Sequence, residues 1–161
     1  MAVEMFRIDE RMLHGQVMTT FSKVLNIDEY IVVNTEVSKD EQQRALLELA
    51  LPPGADFDVV SPETFAKIDK ENDYWGEHTF VVFRYLEDCL AAIKAGANVK
   101  KLTVGGMYSR GREGEVKEEI ALFVADSDRA LFRELESLGV ELEYRVSFYN
   151  NPQPLKNVCK Y

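Results

Sequence analysis

The stretch His78–Met107, HTFVVFRYLEDCLAAIKAGANVKKLTVGGM, decides the fold. It opens on a run of β-branched and aromatic residues, TFVVF, closed by Arg84. Leu86, Leu90 and Ile93 then recur at helical spacing until Gly96 stops the helix, and KLTVGGM begins a second apolar run. A strand, a helix and a strand in this order form a βαβ unit, whose strands lie parallel and whose crossover is right-handed.

The same alternation extends in both directions. VEMFRID, EYIVVNT and FDVVSP read as further strands of a buried sheet. Val17, Phe21, Val24 and Leu25 mark one apolar face of a helix from about Gly15 to Asn26. SKDEQQRALLELALPPG predicts a helix with Ser38 as N-cap and Asp40 and Glu41 in its first turn, stopped by Pro52, Pro53 and Gly54. SPETFAKI places Pro62 at a first helical position, and DRALFRELESLGV closes at Gly139. EIALFVADSD and VELEYRVSFY add two strands of open direction. The expectation is a three-layer α/β/α fold around a mainly parallel sheet of six to seven strands, in one domain over residues 1–161.

Composition excludes several functions. Of 161 residues, 46% are hydrophobic and 29% charged, which suits a globular chain with one core. The net charge of −9 argues against nucleic acid and against an anionic membrane surface, since both need cationic contacts. No apolar run approaches the roughly 20 residues of a membrane span, and the N-terminus lacks a signal-peptide pattern, so a cytoplasmic location is expected. Cys89 and Cys159 form no CxxC pair, and no arginine stands six residues after Cys89 as a phosphatase-like cysteine loop requires. His14 and His78 are distant and HExxH spacing is absent, so neither a metal nor a cofactor is expected. His78, with no basic cluster beside it, reads as structural or exposed.

In a parallel α/β sheet, ligands bind beyond the carboxyl ends of the strands. Those ends carry Asp9 to His14, Asn34 and Thr35, Ser61, Arg84, and the pair Gly105 and Gly106. For a loop histidine taken alone, a capping or surface role is the commoner one. His14, however, follows Arg7 and Arg11, whose guanidinium groups chelate phosphate oxygens, and precedes Gly15 at a helix start that would aim amides at an anion. Imidazole is a side chain largely neutral near pH 7, with a ring nitrogen able to attack phosphorus. Pairing of Arg7 and Arg11 with Asp9 and Glu10 is an equally good reading and is compatible with phosphate binding. GGMYSRGREG lacks both the P-loop ending and the dinucleotide spacing, so it reads first as a flexible loop, with closure over a ligand or partner as the alternative.

The motif RIDERMLHGQVMTT resembles the pattern Arg-Ile-Asp-x-Arg, two apolar residues, then His-Gly-Gln-Val, of the IIB subunits of the mannose/sorbose family of the bacterial phosphoenolpyruvate-dependent sugar phosphotransferase system. VVNTEVSKDEQQRALLELALP, LTVGGM and ELESLGVELEYRV are similar as well, so the resemblance spans nearly the whole chain. It implies phosphorylation of His14 on Nδ1 by a phosphohistidine of a IIA protein, here a separate chain, and transfer to a sugar held by the IIC/IID membrane components. It also implies basic residues, Arg7 and Arg11, around the phosphoryl group, with Asp9 inside the motif. Thr35 stands where the family has an acidic residue, Phe21 replaces a common Trp, and the tail FYNNPQPLKNVCKY differs from the usual ending. Two other readings stay open: a phosphate- or sugar-phosphate-binding regulatory module without transfer, and a small-molecule enzyme with His14 as general base. Self-association and the identity of the sugar are left open by the sequence.

Overall fold

The computed structural model describes residues 2–161, the side chains of Gln16 and Val17 excepted, so that the expected packing of Val17 lies outside the described residues. The apolar runs form β1 (Val3–Asp9), β2 (Glu29–Val33), β3 (Asp56–Val60), β4 (Thr79–Phe83), β5 (Lys101–Gly106) and β8 (Glu141–Tyr144), all parallel neighbours in one sheet. A short β9 (Gln153–Pro154) adds an antiparallel edge, giving seven strands in the order β3-β2-β4-β1-β5-β8-β9.

The pleat sends alternate side chains to opposite faces, and the two faces are covered by different helices. Phe6, Ile8, Ile31, Val33, Val81, Phe83, Leu102 and Val104 pack against α4 (Pro62–Glu71), α5 (Leu86–Lys94) and α6 (Asp126–Ser137). Tyr30, Val32, Phe80 and Val82 pack on the other face against α1 (Gly15–Leu25), α2 (Thr35–Ser38) and α3 (Glu41–Glu48). Each such aliphatic or aromatic side chain contributes roughly 1.5–3 kcal/mol by leaving water.

Three expectations are corrected. Ser38 does not cap the helix that follows; it ends α2, and Asp40 is the cap, its Oδ1 accepting the amides of Gln42 and Gln43 at 3.1 Å. Asn34 starts α2, a short helix the sequence reading did not include, by accepting the Val37 amide at 3.0 Å, and the expected helix begins later, after Asp40. EIALFVADSD does not join the main sheet: β7 (Leu122–Val124) pairs antiparallel with β6 (Val116–Glu119), a strand whose exposed VKEE sequence carries no apolar signal. Finally, the strand expected over VELEYRVSFY stops at Tyr144, because Arg145 turns the chain by hydrogen-bonding the carbonyls of Ser147, Phe148 and Asn150.

Candidate functional site

β1 is a central strand, and its carboxyl end lies between those of β4 and β5. Arg7 and Asp9, two residues apart, leave it on the same face. Asp9 then folds the following loop around itself: its main-chain oxygen accepts the Met12 amide at 2.9 Å and its Oδ1 accepts the Arg11 amide at 3.0 Å. The turn puts Met12 in the left-handed region at φ 62°, a conformation that costs a non-glycine residue on the order of 1–3 kcal/mol and is offset by burial of its side chain. His14 emerges in extended conformation as the N-cap of α1 without using its ring as a cap. The ring instead turns back to Asp9, with Nε2 2.9 Å from Oδ2. A carboxylate can only accept, so Nε2 carries the proton and Nδ1 is left with the lone pair.

Arg7 approaches the same oxygen of that carboxylate. Its Nη2 lies 3.4 Å from Asp9 Oδ2 and donates to the Val146 carbonyl at 2.8 Å, while Nη1 donates to the Arg145 carbonyl at 2.9 Å. The guanidinium also lies 5.1 Å from the Phe21 ring centroid, and the side chain is wholly buried. Burial pushes the Arg7 pKa down, against the opposing pull of Asp9. Space for this group comes from Gly105 on β5, where a Cβ would overlap the guanidinium. Gly106 serves similarly: a Cβ there would stand 2.7 Å from Asp9 Oδ1 and 3.1 Å from the Tyr108 ring. The glycine pair thus ends a strand by close approach rather than making a turn.

The GGMYSRGREG segment is anchored rather than loose. Glu10 Oε1 accepts the Tyr108 amide at 2.9 Å and Oε2 pairs with Arg110 at 3.3 Å. Glu115 accepts from the Ser109 hydroxyl at 2.6 Å and the Arg110 amide at 3.0 Å, and Arg112 pairs with buried Asp128 at 2.8 Å. Burial raises the Glu10 pKa, opposed by the Tyr108 amide and by Arg110. The segment brings two aromatic–arginine stacks to the rim: Arg11 lies 4.9 Å from the Tyr108 centroid, and Arg110 and Arg84 lie 4.4 and 5.0 Å from that of Tyr85. Tyr108 and Arg110 are not legible as rim residues, because the contacts that bring them there are made by Glu10, distant in sequence, whereas Tyr85 follows Arg84 at the end of β4 and could have been read with it.

The remaining candidates separate. Arg84, at the end of neighbouring β4, stays on the rim. Asn34 spends both ends of its carboxamide within the fold, on the Val37 amide and, through Nδ2, on Asp88 at 3.0 Å. Ser61 caps α4 through the Thr64 amide at 3.1 Å and ends β3, three strand spacings or about 14 Å from β1. Gly15 starts α1 with open space where a Cβ would stand. His78 pairs with Glu4 at 2.8 Å at the opposite end of the sheet, and Cys89 and Cys159 are buried free thiols. Among the described residues, no group of three His, Cys, Asp or Glu could hold a metal ion. Grooves of about 390 Å³ beside Lys101 and Glu143 and about 450 Å³ beside Trp75 lie elsewhere on the surface.

A family model described as "PTS system sorbose subfamily IIB component" matches residues 3–161. The chain belongs to this IIB family. It is 37% identical to the sorbose-specific EIIB component of Klebsiella pneumoniae over 91% of the chain and 88% of that protein. Against the fructose-specific EIIB component of Bacillus subtilis the identity is 30%, over 90% and 88%. The crystal structure of the IIBSor domain of the K. pneumoniae sorbose permease superposes with a TM-score of 0.87 at 35% identity, covering 98% of this chain and 95% of that one.

As a member of the IIB family the protein is a phosphocarrier of the phosphotransferase system, moving a phosphoryl group from IIA toward a sugar by way of IIC and IID. The rim suits such chemistry. It offers an imidazole with one nitrogen fixed by a carboxylate, and arginines Arg11, Arg84 and Arg110 stacked on Tyr108 and Tyr85 at the same end of the sheet.

Proposed function

We propose that His14 is the residue that carries the phosphoryl group, on Nδ1, and that Asp9, Arg7 and Arg11 serve it in different ways. The Nδ1 lone pair attacks phosphorus of the IIA phosphohistidine as the donor's N–P bond breaks. The His14 ring then gains positive character, which Asp9 stabilises through the proton on Nε2. Arg11, exposed beside His14, neutralises phosphoryl oxygens. Arg7, with no surface of its own, acts through Asp9 by fixing the carboxylate that orients the ring. In the second transfer a sugar hydroxyl oxygen attacks phosphorus and gives up its proton to solvent, the N–P bond breaks, and Nδ1 recovers its lone pair.

The single observation that carries this reading is the 2.9 Å contact between His14 Nε2 and Asp9 Oδ2. Residues 1–161 act in it as one IIB domain, in the cytoplasm at the face of the IIC/IID transporter. No helix among the described residues is long and apolar enough to cross a membrane, so contact with the transporter is peripheral in this reading.

The test is transfer of labelled phosphate from phosphoenolpyruvate through the general phosphotransferase proteins and a cognate IIA. Acid-labile, base-stable label on the wild type and none on His14→Ala supports it. An unlabelled wild type, with the same donor labelling another IIB of the family, favours a binding module without transfer.

A further inference from the structure

Arg11 is exposed, and a free arginine on a loop samples many rotamers whose loss must be offset each time it grips an anion. Here a neighbouring segment limits that sampling. Tyr108 places its ring 4.9 Å from the Arg11 guanidinium, and the same ring edge lies over Gly106, next to the Asp9 carboxylate. The main chain that carries the ring is fixed, because the Tyr108 amide is held by Glu10, and Met107 before it is tied to Ala121 and Phe123 by main-chain bonds of 2.9 and 2.8 Å. Glu10 is itself fixed, its amide donating to the Gly106 carbonyl at 2.9 Å. The turn after β1 therefore supplies the arginine, and Glu10 beside it supplies the restraint that arranges a platform for that arginine.

We infer that Tyr108 is a positioning residue of the transfer reaction: its ring, latched by Glu10, pre-orders Arg11 for the phosphoryl group on His14. The inference rests on the reading of His14 given above. Tyr108 touches no reacting atom in it; its effect reaches the phosphoryl group through Arg11 alone. Pre-ordering shows as a faster transfer step at saturating donor, since the cost of arranging Arg11 is met before the donor arrives. A phenol that contacted the phosphoryl group directly would act whether or not Arg11 were present.

That difference defines the experiment. The single-turnover rate of His14 phosphorylation by phospho-IIA is measured for wild type, Tyr108→Ala, Arg11→Ala and the double variant. Tyr108→Ala is expected to slow the wild type roughly five-fold, as loss of a cation–π contact would, and to change the Arg11→Ala protein by less than about two-fold. Tyr108→Phe, which keeps the ring and loses only the hydroxyl's hydrogen bond to Arg11, is expected to restore part of the rate. Tyr108→Leu replaces Tyr108→Ala if the smaller residue unfolds the loop. Equal slowing in both backgrounds, or no slowing in the wild type, overturns the inference. Those outcomes leave wild-type labelling intact, whereas failure of the underlying reading appears as a wild type that takes no label at all.

Discussion

Asp9 Oδ2 accepts the Nε2–H of His14 at 2.9 Å, across five residues of a loop that Asp9 itself winds. One carboxylate thus shapes the turn with Oδ1 and orients the imidazole with Oδ2. Asp9→Asn keeps the size and replaces an acceptor oxygen by a donor nitrogen in one of its two orientations. It is expected to slow phosphorylation of His14 on the order of 10–100-fold with little change in secondary structure, as loss of an orienting partner does elsewhere. Rapid-quench transfer from phospho-IIA, with circular dichroism as the control, measures this.

Arg7 tests the layer beneath. Its removal leaves the Asp9 carboxylate buried without a cation and the Arg145 and Val146 carbonyls without donors. Arg7→Met is expected to cost roughly 3–5 kcal/mol of unfolding free energy by urea titration. Gly105→Ala, which intrudes on the same guanidinium from β5, should cost roughly 1–3 kcal/mol.

The tail offers a third prediction. Phe148 packs on Phe21 with centroids 4.5 Å apart, and Arg145 stacks on Phe148 at 4.1 Å. The ring thus backs α1 beneath Phe21. Phe148→Ala is expected to cost about 1–3 kcal/mol by lost burial and ring contact, read from the same urea titration.

Acid pH should loosen the Tyr108–Glu115 segment. The Ser109 hydroxyl, then the Arg110 amide, and Arg112 hold the Glu115 carboxyl down from its ordinary 4.5 to about 2. A carboxyl depressed in the fold contributes order that is complete above its unfolded value and is lost as pH falls through the folded one. Protection of the Arg110 amide against hydrogen exchange is therefore expected to fall between about pH 4.5 and 2, and to lose that pH dependence in Glu115→Gln.

Much of the architecture was legible because buried parallel strands are apolar runs and their helices carry spaced apolar residues; TFVVF and Leu86, Leu90, Ile93 sit where those patterns put them. Local caps competed less visibly. Ser38 and Asp40 are both good N-caps, and the structure uses Asp40 while Ser38 ends the short α2. At the site, the motif around His14 was readable, but the burial of Arg7 was not, since it depends on a glycine in β5 and two carbonyls beyond β8. The platform under Arg11 is not legible for the same reason: Tyr108 is held there by Glu10, ninety-eight residues away in sequence.

The most direct measurement is nuclear magnetic resonance of the ring nitrogens of ¹⁵N-histidine-labelled protein before and after phosphorylation by phospho-IIA. With Nε2 held by Asp9, the account predicts that His14 alone changes, with phosphorus coupled to Nδ1 and the proton retained on Nε2. Phosphorus on Nε2, or on His78, would contradict it.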